Sequence, residues 1–325
     1  GKQLLVVEDL VTEKGNLHPV QEAMVKYHGS QCGFCTPGFV MSLFSMYKNH
    51  NSYNNELIKD SIAGNLCRCT GYRPIIDAAK SLNKIDKSDQ FKKNKKNIIK
   101  LLKKINLKNI SIENKGKKYF SPRTIKELKK VIKKNSNSHF LSGGTDLSLI
   151  VTKEKKDINN IINLQAIDEL DFIKEKNNNI EVGAATPLIK FERFILKYYP
   201  DFNSVLKRYG SVQIRNVCTI GGNIATASPI GDTLPILLSL NSEIVIETTK
   251  NKKILPLKNF FLGYRKTKLK KGEFIYSIKI PIYKNNVFKA YKISKRFDDD
   301  ISSLCASFNL EIVNKKIKKA IIAYG

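Results

Sequence analysis

The chain has no apolar run approaching the roughly 18–20 residues of a membrane-crossing helix, so no span is expected. Arginine is scarce. Of 57 Lys and Arg residues only eight are Arg, although the formal net charge is +28. Arginine is the side chain that clamps phosphates and reads base edges in bidentate fashion, and its scarcity counts against a nucleic-acid-reading surface. The lysines lie scattered among asparagines and isoleucines, as solvated faces do, and such a surface also suits an acidic partner subunit. No internal repeat and no GxGxxG fingerprint is visible, which sets aside solenoids and a Rossmann site. The first residue is Gly1 rather than Met, in mid-pattern, so the native start is expected to lie upstream. Nothing marks the chain as secreted, and a cytoplasmic location is expected.

What is present is enough for two or three domains: 325 residues, 42% of them hydrophobic. Residues 1–83 carry helix signals. Pro19 opens a helix to about Tyr27, and a second starts at Pro37 with Val40, Leu43, Phe44 and Tyr47 on one stripe. A third is predicted over Asn55–Leu66, and a fourth from Pro74 with Ile75, Ile76, Ala79 and Leu82 inward. Residues 84–117 turn lysine- and asparagine-rich and read as a linker, with one helix docked on a neighbour through Ile98, Ile99, Leu101 and Leu102. Helix and strand signals then mix: a helix at Ile125–Lys133 and strands near Phe140–Leu141, Ile180–Val182, Glu243–Ile246 and Ile275–Ile280.

Four of the six cysteines fall in two close pairs, Cys32-Gly-Phe-Cys35 and Cys67-Arg-Cys69, each just before a predicted helix. Two thiolate pairs from separate loops surround a small metal centre, and helix starts supply unpaired N–H groups and positive potential. Gly33, Gly38 and Gly71 let the backbone bend close to the sulfurs. Spacing alone leaves an iron–sulfur cluster, a structural zinc and disulfides open, although zinc more often uses two CxxC pairs. Cys218 and Cys305 stand alone in apolar segments and read as buried small hydrophobes. Two glycine-rich segments follow, Phe140-Leu-Ser-Gly-Gly-Thr-Asp-Leu147 and Thr219-Ile-Gly-Gly-Asn223 running on to Asp232. Gly-Gly pairs are often plain turns, yet two such loops converging would turn N–H groups to a pyrophosphate.

The runs His18-Pro-Val-Gln21, Gly29-Ser-Gln-Cys-Gly-Phe-Cys-Thr-Pro-Gly38 and Gly64-Asn-Leu-Cys-Arg-Cys-Thr-Gly-Tyr-Arg-Pro74 resemble the helical [2Fe–2S] domain of the xanthine dehydrogenase and aldehyde oxidase family. That resemblance implies Cys32, Cys35, Cys67 and Cys69 as cluster ligands, and Gln31 as a contact to a molybdopterin cofactor bound by another subunit. The two glycine-rich segments resemble the family's FAD loops. Phe140, Leu141, Ser142, Gly143, Gly144, Thr145, Asp146 and Leu147, with Thr219, Ile220, Gly221, Gly222 and Asn223, are the implied contacts to pyrophosphate and ribityl chain. Tyr209 matches an aromatic near the adenine half, Asp232 an acid contacting the nucleotide, and Ile275 and Lys292 later contacts. Arg296–Asp300 resembles a charged segment near the flavin edge and also reads as a solvated turn.

The fold class implied is multidomain. An all-α, four-helix [2Fe–2S]-binding domain (1–83, with the tail of a ferredoxin-like domain at 1–10) is followed by the linker 84–117. Next come an α+β, PCMH-type FAD-binding domain (118–285) and the start of a small α+β C-terminal domain like that of CO dehydrogenase flavoproteins (286–325). The family's first-cluster domain and the rest of the C-terminal domain are expected to be missing, a truncation at both ends. The implied function is an oxidoreductase's electron relay in purine catabolism. Electrons from a molybdenum centre on a large partner subunit pass through [2Fe–2S] to FAD and on to NAD⁺, in a heterotetramer or larger two-fold assembly. This is the arrangement of the small subunit of bacterial members. The rival readings are the same relay serving an aldehyde or N-heterocycle, and a zinc-stabilised basic nucleic-acid-binding module.

Overall fold

Pro19, Pro37 and Pro74 each sit in the first turn of a helix, where the missing N–H would have had no partner anyway. The computed structural model of the chain describes residues 2–12, 14–84, 88–105 and 108–325. Gly1 and positions 85–87 and 106–107 of the expected linker lie outside the described residues. Two units are formed, Gly1–Leu107 and Lys108–Gly325.

In the first unit α1 (Pro19–Lys26), α2 (Thr36–Asn49), α3 (Asn55–Ile62) and α4 (Arg73–Ser81) pack around Val20, Phe39, Leu43, Tyr47, Ile58, Ile75 and Ala79. Full burial of each of the larger side chains is worth about 1.5–3 kcal/mol. The third helix ends at Ile62, four residues short of the predicted Leu66. Asn65 turns the chain there: its N–H and its side-chain amide both donate to the Ile62 carbonyl, at 2.9 and 3.2 Å. Leu66 is therefore exposed.

The linker holds α5 (Gln90–Lys104), with none of its residues fully buried. Phe91 packs on the first unit's core, but Ile99 and Leu101 remain exposed, so the predicted docking through the apolar stretch is absent among the described residues of this unit. What fixes α5 is its polar start. Asp89 caps it by accepting from the Lys92 N–H at 2.8 Å, and takes both carboxylate oxygens to Lys48 Nζ at 2.8 Å. His18 joins from α1. Its Nδ1 accepts from the Val20 N–H at 3.2 Å, so in the neutral ring Nε2 carries the proton and donates to Asp89 at 3.2 Å.

The second unit begins with β1 (Ile110–Asn114), within the stretch expected as linker, paired antiparallel to β2 (Lys117–Ser121). After α6 (Ile125–Lys134) come β3 (His139–Leu141), α7 (Ser148–Thr152) and β4 (Asn160–Asn163), and β2 and β3 flank β4 in parallel. An antiparallel sheet follows, in the order β5 (Ile173–Lys176), β6 (Asn179–Gly183), β11 (Phe274–Pro281), β7 (Glu243–Glu247) and β8 (Lys252–Pro256). Between β6 and β7 lie α8 (Leu188–Ile195), α9 (Pro200–Lys207), α10 (Val212–Arg215), α11 (Ile220–Thr226) and α12 (Thr233–Ser239). The small hairpin of β9 (Phe261–Gly263) and β10 (Lys266–Thr267) precedes β11. The chain closes with the antiparallel strands β12 (Asn286–Ser294), β13 (Ser302–Val313) and β14 (Lys316–Tyr324). Ala290 and Cys305 carry this last sheet onto the same apolar core as Ile180, Phe191, Ile244 and Ile278.

The His18–Asp89–Lys48 network makes the first unit acid-sensitive in two steps. Burial holds His18 below its ordinary pKa, so the unfolded chain takes that proton first and stability falls as pH drops below about 6.5. Burial pushes Asp89 up, but hydrogen bonds from Lys48, the Lys92 amide and His18 outweigh it and hold the carboxyl below its usual range. The stability it contributes is lost as pH falls below about 4. Denaturation of wild type against Asp89→Ala, followed by far-UV circular dichroism, should show a cost of about 3 kcal/mol at neutral pH. It should also show a flatter limb below about pH 4 in the variant, and equal limbs there would count against the network.

Candidate functional site

The first unit brings the four thiols together at one end of its helices. Cys35 is the N-cap of α2, and Cys67 and Cys69 lie on the loop leading into α4. The two loops meet because Gly38 lets α2 approach Asn65: a Cβ there would stand 2.7 Å from Asn65 Oδ1, and Asn65 Nδ2 donates to Ser42 Oγ at 2.8 Å. Cys32 Sγ is 3.5 Å from Cys69 Sγ, which is 3.7 Å from Cys67 Sγ. Tyr72 turns back so that its hydroxyl accepts from the Cys67 N–H at 2.9 Å. Cys67 is pulled down to about 6 by hydrogen bonds from the Thr70 hydroxyl and amide. Cys32 is lowered by the Phe34 amide, whereas burial raises Cys35. A thiolate is the species that binds iron or zinc, and a depressed pKa favours it.

Among the described residues no three His, Cys, Asp or Glu side chains are placed to hold a single metal ion. The thiols instead approach as linked pairs from two loops, a donor set that fits a sulfide-bridged pair of irons. Gln31 is exposed beside Cys32, facing away from this unit's core. Phe34, between the first two cysteines, is 96% exposed.

The second unit contains a cavity of about 670 Å³, within the range of small-molecule and cofactor sites. β3 runs into the first glycine loop at its carboxyl end, the end of parallel strands where ligands collect. Gly143 and Gly144 take successive φ values of +88° and +76°. A Cβ on Gly143 would stand 2.1 Å from the Val217 carbonyl oxygen, so the first loop touches the backbone leading into the second. Ser142 Oγ lies 3.1 Å from Thr219 Oγ1, and Thr219 caps α11 by accepting from the Gly222 N–H at 3.2 Å.

Phe140, Ser142, Gly144, Thr145, Asp146 and Leu147 line the cavity from the first loop. Thr219, Gly221, Gly222 and Asn223 line it from the second, with Tyr209, Asp232, Ile275 and Lys292 completing the wall. Three expected residues do not line it. Leu141 packs under Gly144, the Gly143 backbone is spent against Val217, and Ile220 is fully buried in the apolar core.

Polar groups around the cavity are tied to one another. Asn223 donates to the Tyr209 hydroxyl at 2.7 Å and accepts from Thr233. Burial pushes Tyr209 far above the usual phenol range and Cys218 up to about 12, so both are neutral. Lys292 Nζ lies 2.7 Å from Asp232, with both side chains 2% exposed, and Ser302 donates to the other Asp232 oxygen at 2.5 Å. This pair joins the start of α12 to β12 and β13. Asp299 and Asp300, of the segment expected near the flavin edge, reach the cavity. Sequence reasoning missed Arg265, which lines it from the β9–β10 hairpin and forks onto Asp146 at 2.9 and 3.3 Å. Its only signal was being an arginine where lysine is the rule.

Gly143→Ala combines a left-handed φ with a backbone clash, whereas Gly116→Ala meets only the φ of +77° with open space around it. Chemical denaturation should give about 1 kcal/mol for Gly116→Ala and more than about 3 kcal/mol for Gly143→Ala. Equal costs would mean that the contact between the loops does not constrain the fold.

Three family models match in order: a [2Fe-2S] binding domain over residues 6–80, an FAD binding domain in molybdopterin dehydrogenase over 109–283, and a CO dehydrogenase flavoprotein C-terminal domain over 289–325. Xanthine dehydrogenase 1 of Arabidopsis thaliana is 31% identical over the whole of this chain and 29% of its own length. Xanthine dehydrogenase/oxidase of Gallus gallus is 28% identical over 98% of this chain and 29% of its own. The chain thus spans under a third of these relatives. Carbon monoxide dehydrogenase from Hydrogenophaga pseudoflava shares the fold with a TM-score of 0.61 at 22% identity, over 66% of this chain and 75% of that one. Quinoline 2-oxidoreductase from Pseudomonas putida 86 does so with a TM-score of 0.60 at 20% identity and the same coverage. With the flavin-domain match covering more than half of its length behind an iron–sulfur domain, the chain belongs to the molybdopterin dehydrogenase family, the molybdenum hydroxylases that include xanthine dehydrogenase.

Proposed function

We propose that the chain is the electron-transfer component of a xanthine dehydrogenase-type oxidoreductase, taking electrons from a molybdenum centre on a large partner subunit and delivering them to NAD⁺. The observation that carries the reading is the convergence of Cys32, Cys67 and Cys69, with Cys35 at the start of α2, inside a matched [2Fe-2S] binding domain. The working division is an iron–sulfur domain at 1–83, a linker at 84–117, a flavin domain at 118–285 and a C-terminal domain from 286. A cytoplasmic heterotetramer or larger two-fold assembly is the proposed setting.

When bound, the cluster supplies one-electron carriage and FAD couples single electrons to hydride transfer. The residues of this chain do the holding. The Thr70 hydroxyl and amide stabilise charge on Cys67, and the start of α2 does so near Cys35. Gln31, exposed beside Cys32, is the residue proposed to contact the cofactor of the partner subunit. In the second unit, Gly144, Gly221 and Gly222 line the cavity with bare main chain, so a pyrophosphate can approach without a side chain in the way. Phe140, Leu147 and Ile275 give apolar walls that exclude water, and the Asp232–Lys292 pair fixes the wall beneath the nucleotide.

Anaerobic purification with iron, sulfide and flavin assays should find two irons and one FAD per chain. Cys67→Ser should lose the iron and its visible absorbance while retaining flavin. Colourless protein with zinc in place of iron would sink the reading.

A further inference from the structure

We infer that Arg265 is the cation that receives the pyrophosphate of the bound dinucleotide, held ready by the Asp146 carboxylate. The inference rests on reading the cavity as a flavin site and adds a residue that the glycine loops do not supply.

The charges lining the cavity are four carboxylates, Asp146, Asp232, Asp299 and Asp300, and two cations, Arg265 and Lys292. Such a wall repels a doubly charged pyrophosphate unless one cation is free to meet it. Lys292 is committed: its side chain is 2% exposed and its ammonium lies 2.7 Å from Asp232. The Arg265 side chain is 46% exposed and spends two N–H groups on Asp146, at 2.9 and 3.3 Å, of the five a guanidinium carries. Of the two cations lining the cavity, it is the one that combines leftover donors with an accessible side chain.

Its position is fixed from both ends. Arg265 turns the β9–β10 hairpin with φ +51°, and its amide donates to the Ala227 carbonyl at 3.2 Å. The side chain then reaches Asp146, three residues past Gly143 on the first glycine loop. The guanidinium therefore stands at the first glycine loop, where that loop lines the cavity. Arginine, one of eight among 57 basic residues, matches a phosphate in planar, bidentate fashion where lysine offers a point charge.

The test measures flavin binding to the full chain freed of flavin, by fluorescence quenching, with FAD and with riboflavin, which has no phosphate. Arg265→Gln should weaken FAD roughly 10- to 100-fold and riboflavin far less. It should also flatten the salt dependence of FAD binding, and Arg265→Lys should recover part of the lost FAD affinity. If Arg265 were only a strap between loop and hairpin, Arg265→Gln and Asp146→Asn would weaken FAD and riboflavin alike. That outcome overturns the inference while leaving the flavin site standing. A wild-type chain that takes up neither flavin overturns the flavin reading itself.

Discussion

In the flavin-domain unit, two stretches of main chain touch where no side chain fits. The Gly143 Cα faces the Val217 carbonyl so closely that a Cβ would overlap its oxygen. Once that contact is made, little freedom remains. The first loop must turn through two left-handed residues, and the second must enter α11 with Thr219 as its cap. The hydroxyls of Ser142 and Thr219 come within bonding distance, and both glycine loops line the same cavity. The cavity is thus a consequence of close backbone packing, not a gap left by poor packing.

The iron–sulfur unit solves a related problem with charge. Four thiolates in one place repel each other, and the fold meets that with helix starts, a hydroxyl and main-chain amides rather than with lysines, although lysine is abundant. Cys67 receives the most help, from Thr70. Elsewhere two buried carboxylates are held in closed networks: His18 and Lys48 on Asp89, and Lys292 and Ser302 on Asp232. Removing one member of such a set leaves the rest buried and uncompensated, which costs more than the complete set contributes.

Much of this was legible in the residues. The proline-opened helices and the apolar stripes of α2 and α4 follow from local rules, and the cysteine spacing narrows the first unit to a cluster, a zinc site or disulfides. The glycine pairs were legible only as candidates, because Gly-Gly is common in turns and the sequence does not reveal that Val217 lies opposite Gly143. The same limit applies to Arg265 and Asp146, which stand 119 positions apart and meet only through the fold. Ile220 and Leu141 belong to the glycine motifs, yet their side chains turn into the apolar core and under Gly144. Motif membership does not say which way a side chain turns. The end of α3 was missed because Asn65, an ordinary polar residue in the sequence, terminates the helix through its own amide.

The Asp232–Lys292 pair has a bearing on where this polypeptide can be divided. The stretch that matches a flavin domain ends at residue 283, yet the partners of Asp232, namely Lys292 and Ser302, lie beyond it. So do the carboxylates at 299 and 300 that border the cavity. A fragment cut at that boundary would keep both glycine loops and still strand an interior anion, with one side of its nucleotide chamber left open to water. The unit of inheritance and the unit of folding are therefore offset along the chain, and the final sheet is a component of the cofactor's housing rather than an appendage to it.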